Sequence, residues 1–360
     1  MWVDLLIIAV KVIVFLSCIL GLTSFLTWME RKQSAVMQDR LGANRAPILG
    51  FRAFGLFHIF ADALKMFFKE DYVPPGGDRL LHTMAPFAAL FFALMSFAAI
   101  PFGDSIHVAG REIQLLILPL NVGLLFILAM MSMGIYGTFL AGFSSNNKYA
   151  FLGGLRASSQ MISYEITMGA TLVGVLMIFG TLDLGELNRA QGGLLWGWLP
   201  QWGIFLQPLG FLLFIAAGLA ETKRIPFDLP EGESEIIGYF LEYSSMKFGA
   251  FFMTDFVETI LIAALVATLF FGGWQVPYLQ AGGFHFPWGA ELALPQLAVT
   301  LLQVISFGAK VFFFCWVLLL VRWTLPRFRY DQLMQLGWKM MLPLSILNIF
   351  VTGLILLLRK

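Results

Sequence analysis

The chain has 360 residues, of which 59% are hydrophobic and only 12% are charged, and its formal net charge is +1. Soluble globular domains carry about 25% charged residues, so this composition excludes a soluble protein and predicts a polytopic membrane protein. A net charge near zero, without a basic patch, argues against a nucleic acid or another polyanion as partner. The two cysteines and four histidines are scattered, so the sequence indicates no metal site and no redox cofactor.

Apolar runs of about 20 residues, each long enough to cross the hydrocarbon core, recur along the whole chain. We predict an all-α membrane protein in which residues 1–360 form one polytopic domain, with about eight transmembrane helices and no strands. The first run is too long for a signal peptide and is kept as a helix. The predicted spans are Leu5–Met29, His82–Phe102, Leu115–Ala141, Gln160–Gly180, Gly203–Ala220, Phe248–Phe271, Ala298–Val321 and Lys339–Leu358.

Basic residues are distributed unevenly between the two sets of loops. The loops after the first, third, fifth and seventh predicted spans hold 17 of the 23 lysines and arginines. Because such residues are retained in short loops on the negative side of a membrane, these loops are predicted there. For a bacterial cytoplasmic membrane, this orientation puts both termini on the positive, periplasmic side.

A charged cluster, Glu30-Arg31-Lys32-Gln33, follows the first predicted span. Anchoring on the negative side explains the basic residues by itself. It does not explain Glu30, which an ion pair or a polar cavity would explain better.

Residues 54–69 have the pattern of a short amphipathic helix. Polar residues recur every three or four positions, and aromatic and aliphatic residues fill the opposite face. About four helical turns with this much charge are too short to span, so we predict an interfacial helix. Such a helix lies on the headgroups, or it forms one wall of an entrance for an amphipathic, lipid-like substrate.

The segment 221–248 is the most acidic part of the chain and carries six of its 22 acidic residues. Asp228-Leu-Pro-Glu231 resembles a helix start, with an acidic N-cap and a proline in the first turn. If that helix continued, Glu231, Glu235 and Glu242 would share one face. Three aligned carboxylates favour proton storage through mutual repulsion, whereas the alternative is a solvated acidic rim.

Further acidic residues lie inside predicted spans, where a charge costs about 2.5–3.5 kcal/mol at the centre. Glu165 stands near the start of the fourth span, Glu221 closes the fifth, and Asp255 and Glu258 are neighbours in the sixth. We expect these carboxylates to face a cavity or a partner. Lys310, in the seventh span, is a candidate counter-charge, or it contacts a neighbouring subunit.

Six motifs together resemble one known family, the H-subunit family of the proton-pumping NADH:quinone oxidoreductase (complex I), whose mitochondrial member is called subunit 1. The likeness runs from about residue 28 to residue 343. The motifs are E-R-K-x-x-A-x-x-Q-x-R-x-G-x-N-R (30–45), A-D-x-x-K-x-F-x-K-E-D (61–71), G-I-Y-G-x-x-L-A-G-x-x-S-N-N-K-Y-A-F-L-G-G-L-R (134–156), Q-M-I-S-Y-E (160–165), P-F-D-L-P-E-G-E-S-E (226–235) and L-P-R-F-R-Y-D-Q-L-M-x-L-G-W-K (325–339).

The resemblance implies a membrane subunit of complex I that walls a quinone chamber and couples quinone reduction to proton translocation. It implies quinone as the substrate, and flavin and iron–sulfur clusters on partner subunits only, so this chain alone would not be catalytic. The implied partners are the peripheral quinone-site subunits, small membrane subunits and antiporter-like subunits. By motif match, the chamber residues are Arg31, Gln33, Asp62, Lys65 and Phe227, and the proton-path residues are Glu165, Glu221, Asp228, Glu231, Glu233, Glu235, Glu242 and, less directly, Asp255.

The chain departs from the family pattern at several positions. Ala43 stands where the family usually has proline, and Lys223 stands where it usually has asparagine. Thr254-Asp255-Phe256 replaces alanine-glutamate-tyrosine, which shortens the carboxylate side chain by one methylene. Glu258 is a candidate to supplement Asp255 in the proton path.

Three alternative functions remain open from the sequence. A homologous membrane subunit of a membrane-bound hydrogenase would share the fold but use no quinone, although the intact 30–45 and 142–156 motifs favour the quinone enzyme. A stand-alone proton-coupled transporter would be active when reconstituted by itself. A pure scaffold would tolerate neutralisation of Glu165 or Glu235.

Overall fold

The computed structural model describes residues 2–108, 111–232, 235–280 and 282–358. In these residues the α-helices are α1 (Trp2–Met37), α2 (Phe57–Phe68), α3 (Arg79–Ser96), α4 (Gly123–Ser144), α5 (Lys148–Phe179), α6 (Leu184–Ala190), α7 (Gly203–Leu206), α8 (Pro208–Glu221), α9 (Ser245–Phe270), α10 (Gln296–Thr324), α11 (Tyr330–Gln335) and α12 (Leu342–Leu358). Short 3₁₀ turns occupy Ala53–Gly55 and Phe97–Ala99, and a π-helical turn over Leu336–Met341 joins α11 to α12.

Within the described ranges, seven helices are long and apolar enough to cross a membrane: α1, α3 with its 3₁₀ extension, α4, α5, α9, α10 and the continuous helix 330–358. The predicted all-α membrane fold is therefore confirmed. The remaining predicted span, Gly203–Ala220, is a shorter apolar helix, because the chain breaks at Gln207 between α7 and α8. Pro208 follows this break, and a residue before proline is disfavoured in the helical region.

Helix α9 lies at the centre of the bundle, and most of its side chains are buried. It packs against α1, α3, α8 and α10, while α5 packs against α4, α8 and α12. Its end is held by Lys310 of α10, whose ammonium donates to the carbonyl oxygens of Phe271, Gly273 and Gln275 at 2.8, 2.9 and 2.6 Å. The interpretation of Lys310 as a counter-charge to the acidic residues is therefore wrong.

The prediction that strands are absent is also wrong, because the described chain contains three small antiparallel sheets. They lie in the loops after α3, after α5 and after α9, so the predicted topology assigns them all to the positive side. The strands are β1 (Ser105–Val108) with β2 (Arg111–Gln114), β3 (Leu194–Leu195) with β4 (Leu199–Pro200), and β5 (Leu279–Gln280), β6 (Gly283–His285) and β7 (Glu291–Ala293) in that order. Strands of two to four residues are too short for a period of two to stand out in the sequence.

The acidic segment between α8 and α9 contains no helix in its described residues, so the predicted helix start at Asp228 is wrong. The Asp228 carboxylate accepts a hydrogen bond from Arg327 at 2.9 Å instead of capping its own backbone. Gln160 of α5 holds the segment by donating to the carbonyl oxygens of Ala220 and Phe227. Because a helix is absent, its predicted carboxylate face is absent too.

Candidate functional site

A groove with a volume of about 520 Å³ opens between α1, α2 and α9. One face of α1 supplies polar residues at intervals of four, Thr23, Thr27 and Arg31. The α9 wall is apolar and sulfur-rich, with Met246, Phe248, Phe252 and Met253. An apolar wall with a few polar groups is the usual character of a site for a small organic ligand.

The polar end of this groove is organised by one ion pair. Arg31 Nη2 lies 2.6 Å from Asp62 Oδ2, which joins α1 to α2, and Lys65 Nζ lies 3.8 Å from Asp62 Oδ1. Three of the predicted chamber residues therefore line the same groove. The opposite side of α2 leaves its large apolar residues, such as Phe60 and Phe67, exposed on this chain.

The other two predicted chamber residues do not line this groove. Phe227 is buried, with its ring stacked on Phe328 at 5.5 Å between centroids and tilted against Tyr164. The side-chain amide of Gln33 is buried and makes no hydrogen bond to a described residue.

Glu30, which precedes Arg31, joins α1 to two arginines of the interior. Its carboxylate lies 3.2 Å from Arg224 Nη1 and 2.6 Å from Arg322 Nη1. The ion pair predicted for Glu30 is thus confirmed. Burial lowers the pKa of Arg224, and the charge of Glu30 opposes that shift. The Arg224 guanidinium also stacks on the Phe256 ring at 3.9 Å.

Lys223 lies next to Arg224 and is fully buried. Its ammonium is 3.2 Å from Glu258 Oε2 and 3.4 Å from Asp255 Oδ1, both on α9. Burial acts to lower the pKa of Lys223, but the charges of Glu258 and Asp255 outweigh it and leave this pKa above its ordinary value. These two carboxylates of the sixth predicted span are therefore partnered inside the chain.

Glu221, at the end of α8, is also buried, and neither of its carboxylate oxygens makes a hydrogen bond to a described residue. It shares a small cavity with Glu258, Met131 and Gly134. The fourth predicted span contributes Glu165, whose carboxylate accepts a short hydrogen bond from the Ser132 hydroxyl of α4.

Asp228 and Glu231 are members of the same buried region. Burial raises the pKa of Asp228 to about 6, against the opposing charges of Arg327 and Arg322. Burial also raises the pKa of Glu231 well above its ordinary value, and the nearby charges of Asp255 and Asp228 add to that shift. Both carboxyls can therefore hold a proton at a higher pH than an exposed acid does.

The last members of the predicted path lie near the surface. Glu235 Oε2 is 2.7 Å from Arg156 Nη1, and about half of the Glu235 side chain is exposed. Glu242 accepts a hydrogen bond from the Asn147 amide at 2.7 Å. Glu233 lies outside the described residues.

Comparison with known proteins agrees with this arrangement of residues. Residues 10–353 match the family model described as NADH dehydrogenase. The chain belongs to this family. It is similar to the H subunit of the NADH-quinone oxidoreductase of Thermomicrobium roseum, with 44% identity over 95% of this chain and 94% of the relative.

Two further relatives are H subunits that carry the number 1 in their organisms. The one from Cytophaga hutchinsonii is 42% identical over 94% of this chain and 93% of the relative. The one from Geobacter metallireducens is 42% identical over 99% of this chain and 98% of the relative. The resemblance to the H-subunit family, which supplies a membrane subunit of complex I, is therefore confirmed, and the chain is a multi-pass membrane protein.

Beside the family's acidic residues, the structure adds four basic ones that the sequence did not single out as site residues: Lys223, Arg224, Arg322 and Arg327. In the sequence, Lys223 is noted only as a departure from the family pattern. Its signal is a lysine between a long apolar helix and an acidic segment, with two acids three residues apart on the next apolar helix. Arg322 and Arg327 read as ordinary anchoring residues at the end of a span.

Proposed function

We propose that this chain is the complex I subunit that forms the membrane wall of the quinone site and passes the charge change of quinone reduction to a set of buried carboxylates. The groove between α1, α2 and α9 takes the quinone, with the polar Arg31–Asp62 end near the headgroup. Electrons come from flavin and iron–sulfur clusters on partner subunits, so this chain is not catalytic alone.

One observation carries the proposal: Glu30 and Arg31 are consecutive on α1 but make ion pairs in two different regions. Arg31 reaches the groove and Asp62, whereas Glu30 reaches the buried Arg224 and Arg322. A change of charge in the groove therefore acts on the interior through one turn of α1. Electrostatic coupling is strong there because the screening by water is small.

From Arg224 the charged groups continue without interruption along the chain. Lys223 follows with Asp255 and Glu258, and Glu221 with its cavity comes next. Reduction of a quinone consumes protons as well as electrons, so nearby groups that exchange protons near neutral pH are useful to it. The proposed path joins this buried group to Glu165 on one side.

On the other side, the proposed path reaches Asp228, Glu231 and, at the surface, Glu233, Glu235 and Glu242. The acidic segment faces the negative side, where the peripheral quinone-site subunits dock, and both termini face the positive side. The antiporter-like subunits receive the charge change within the membrane. The amphipathic helix α2 lies at the interface, with its exposed apolar face towards lipid.

The quinone site can be tested by filling the groove in the assembled complex. Gly249 of α9 lines the groove, and an added Cβ there would lie 2.7 Å from the Met66 sulfur of α2. Gly249→Leu should raise the KM for a long-chain quinone about tenfold, a loss of about 1.4 kcal/mol of binding. NADH oxidation by a hydrophilic acceptor that bypasses the quinone site should not change.

A matched control is Gly169→Leu on α5, where an added Cβ meets no atom within 4 Å. Both variants introduce the same side chain into a helix of the bundle. An unchanged KM in Gly249→Leu, or an equal rise in both variants, would place the quinone elsewhere.

The proton path is tested with Glu235→Gln in the assembled complex, measured as protons translocated per quinone reduced in sealed vesicles. The proposal predicts a reduced ratio. Full proton translocation in this variant would remove Glu235 from the path.

A further inference from the structure

Lys223 places a single ammonium among several carboxylates in the interior of the protein. Its side chain is fully buried, its Nζ lies at ion-pair distance from Glu258 and Asp255, and it lies 6.0 Å from the centre of the Tyr239 ring. A buried lysine without a partner would lose its proton or destabilise the fold, so these contacts are what keep the ammonium charged.

No second cation is free to share this task among the described residues. Arg224, the next residue, is paired with Glu30, and Arg327 is paired with Asp228. The titratable groups that face Lys223 or its carboxylate partners come from α5, α8, α9 and the acidic segment. They are Glu165, Glu221, Asp255, Glu258, Glu231 and Tyr239.

One ammonium cannot neutralise this many carboxylates in a low-dielectric site, so the proton must be shared among them unevenly. The geometry decides the order. Asp255 and Glu258 both contact Lys223, whereas Glu221 has buried oxygens that receive no hydrogen bond from a described residue. Glu221 also borders the small cavity that Glu258 lines from the other side.

We infer that Lys223 is a positioning residue for proton transfer: it holds Asp255 and Glu258 as its ion-pair partners and so leaves Glu221 as the carboxyl that gains and loses the proton. This inference rests on the proposed function and adds to it the residue that assigns the roles within the carboxylate group. Lys223 itself neither takes up nor gives up a proton. Because the family usually carries asparagine at this position, the family pattern does not supply this role.

The test is a charge-balanced pair of substitutions in the assembled complex, with quinone reduction measured across a pH series. Lys223→Met leaves Asp255 and Glu258 without their cation, so they compete with Glu221 for the proton. We expect coupled activity to fall about tenfold or more and the midpoint of the pH profile to move by about one pH unit to higher pH. Lys223→Arg, which keeps the charge, should keep the midpoint.

The double variant Lys223→Met/Glu258→Gln removes one positive and one negative charge together. We expect it to recover activity to within about threefold of the unmodified protein and to restore the pH midpoint. A double variant no better than Lys223→Met, or an unshifted midpoint in Lys223→Met, would overturn the inference. If Lys223→Met does not assemble, the double variant decides: assembly with the normal midpoint supports the inference, and failure to assemble overturns it.

Two further variants separate this inference from the function on which it rests. Lys247→Met removes a lysine of α9 whose partner Asp71 is half exposed, and it should leave the pH profile unchanged. Glu165→Gln removes a proposed path residue that binds Ser132 rather than Lys223. Loss of proton translocation in Glu165→Gln, without rescue in the double variant, would retain the proposed function and reject the role of Lys223.

Discussion

Arg322 Nη1 lies 2.6 Å from Glu30 Oε1, which ties the last turn of α10 to the end of the apolar part of α1. The second oxygen of the same carboxylate faces Arg224 in the acidic segment. Three distant parts of the sequence are thus joined by one side chain. Because this carboxylate is largely buried, its removal leaves two guanidinium groups with no counter-charge from it.

Glu30→Gln is therefore expected to destabilise the protein by about 3–5 kcal/mol, the usual cost of breaking a buried ion pair from one side. The measurement is the thermal inactivation midpoint of the purified complex, together with the retention of this chain in it. Asp331→Asn is the control, because the Arg329–Asp331 pair is exposed and contributes about 0–1 kcal/mol. Equal effects in the two variants would contradict the structural role of Glu30.

Asp228→Asn should change the pH dependence of stability. The raised pKa of Asp228, about 6 against an ordinary 3.8, means that the folded protein binds a proton between these values more readily than the unfolded chain does. This group's contribution to stability is therefore full below about pH 4 and is lost as the pH rises through about 6. Asn cannot ionise, so the variant lacks this loss.

The measurement is the thermal midpoint of the unmodified complex and of Asp228→Asn at a series of pH values from 4 to 8. The difference between the two proteins should be constant below about pH 4, change mainly between about pH 4 and 6, and become constant again above that range. A difference independent of pH over the whole series would mean that Asp228 ionises like an exposed acid.

Lys310→Met should destabilise the end of α9. The ammonium donates to three carbonyl oxygens there, and each acceptor left buried without a donor costs about 1–3 kcal/mol. Lys310→Arg keeps several donors and should recover part of that loss. The comparison of their thermal midpoints distinguishes this role from a simple charge effect, for which Arg would restore the full value.

Gly137→Val should weaken the contact between α3 and α4. An added Cβ at Gly137 would lie 2.7 Å from both the nitrogen and the Cβ of Ala89, so the two backbones must separate. Small residues allow such close helix contacts in membranes, and overpacking costs about 1–3 kcal/mol. The amount of assembled complex in the membrane reports this effect. Gly308→Val is the control, because its added Cβ meets nothing within 4 Å.

Much of the fold follows from the sequence because membrane spans depend on the length of an apolar run. The ends of α9 and α10 lie within about three residues of their predicted positions for this reason. Helix α5 begins twelve residues earlier than its predicted span, at Lys148 instead of Gln160. Its first three turns carry polar residues, and apolar run length does not detect helix that continues beyond the membrane.

The candidate site was harder to predict from local pattern. Arg31, Asp62 and Lys65 meet as expected, since two of them are on one amphipathic helix and the third is at the end of a span. The alignment of Glu231, Glu235 and Glu242 failed because it assumed a helix, whereas side chains from α5 and from the loop after α10 hold that segment in an irregular path. Contacts between distant parts of the chain leave no periodic signal.

The irregular path of residues 222–244 also restricts how this chain can vary in length. Asp228, Glu235 and Glu242 have separate partners, on the 325–329 loop, on α5 and just before α5, so inserting one residue between them would break at least one of these bonds. The hairpin loop after β6 has no such anchors along the described 286–290 turn beyond its own backbone bonds. Insertions and deletions should therefore accumulate in the hairpin loops and be excluded from the acidic segment.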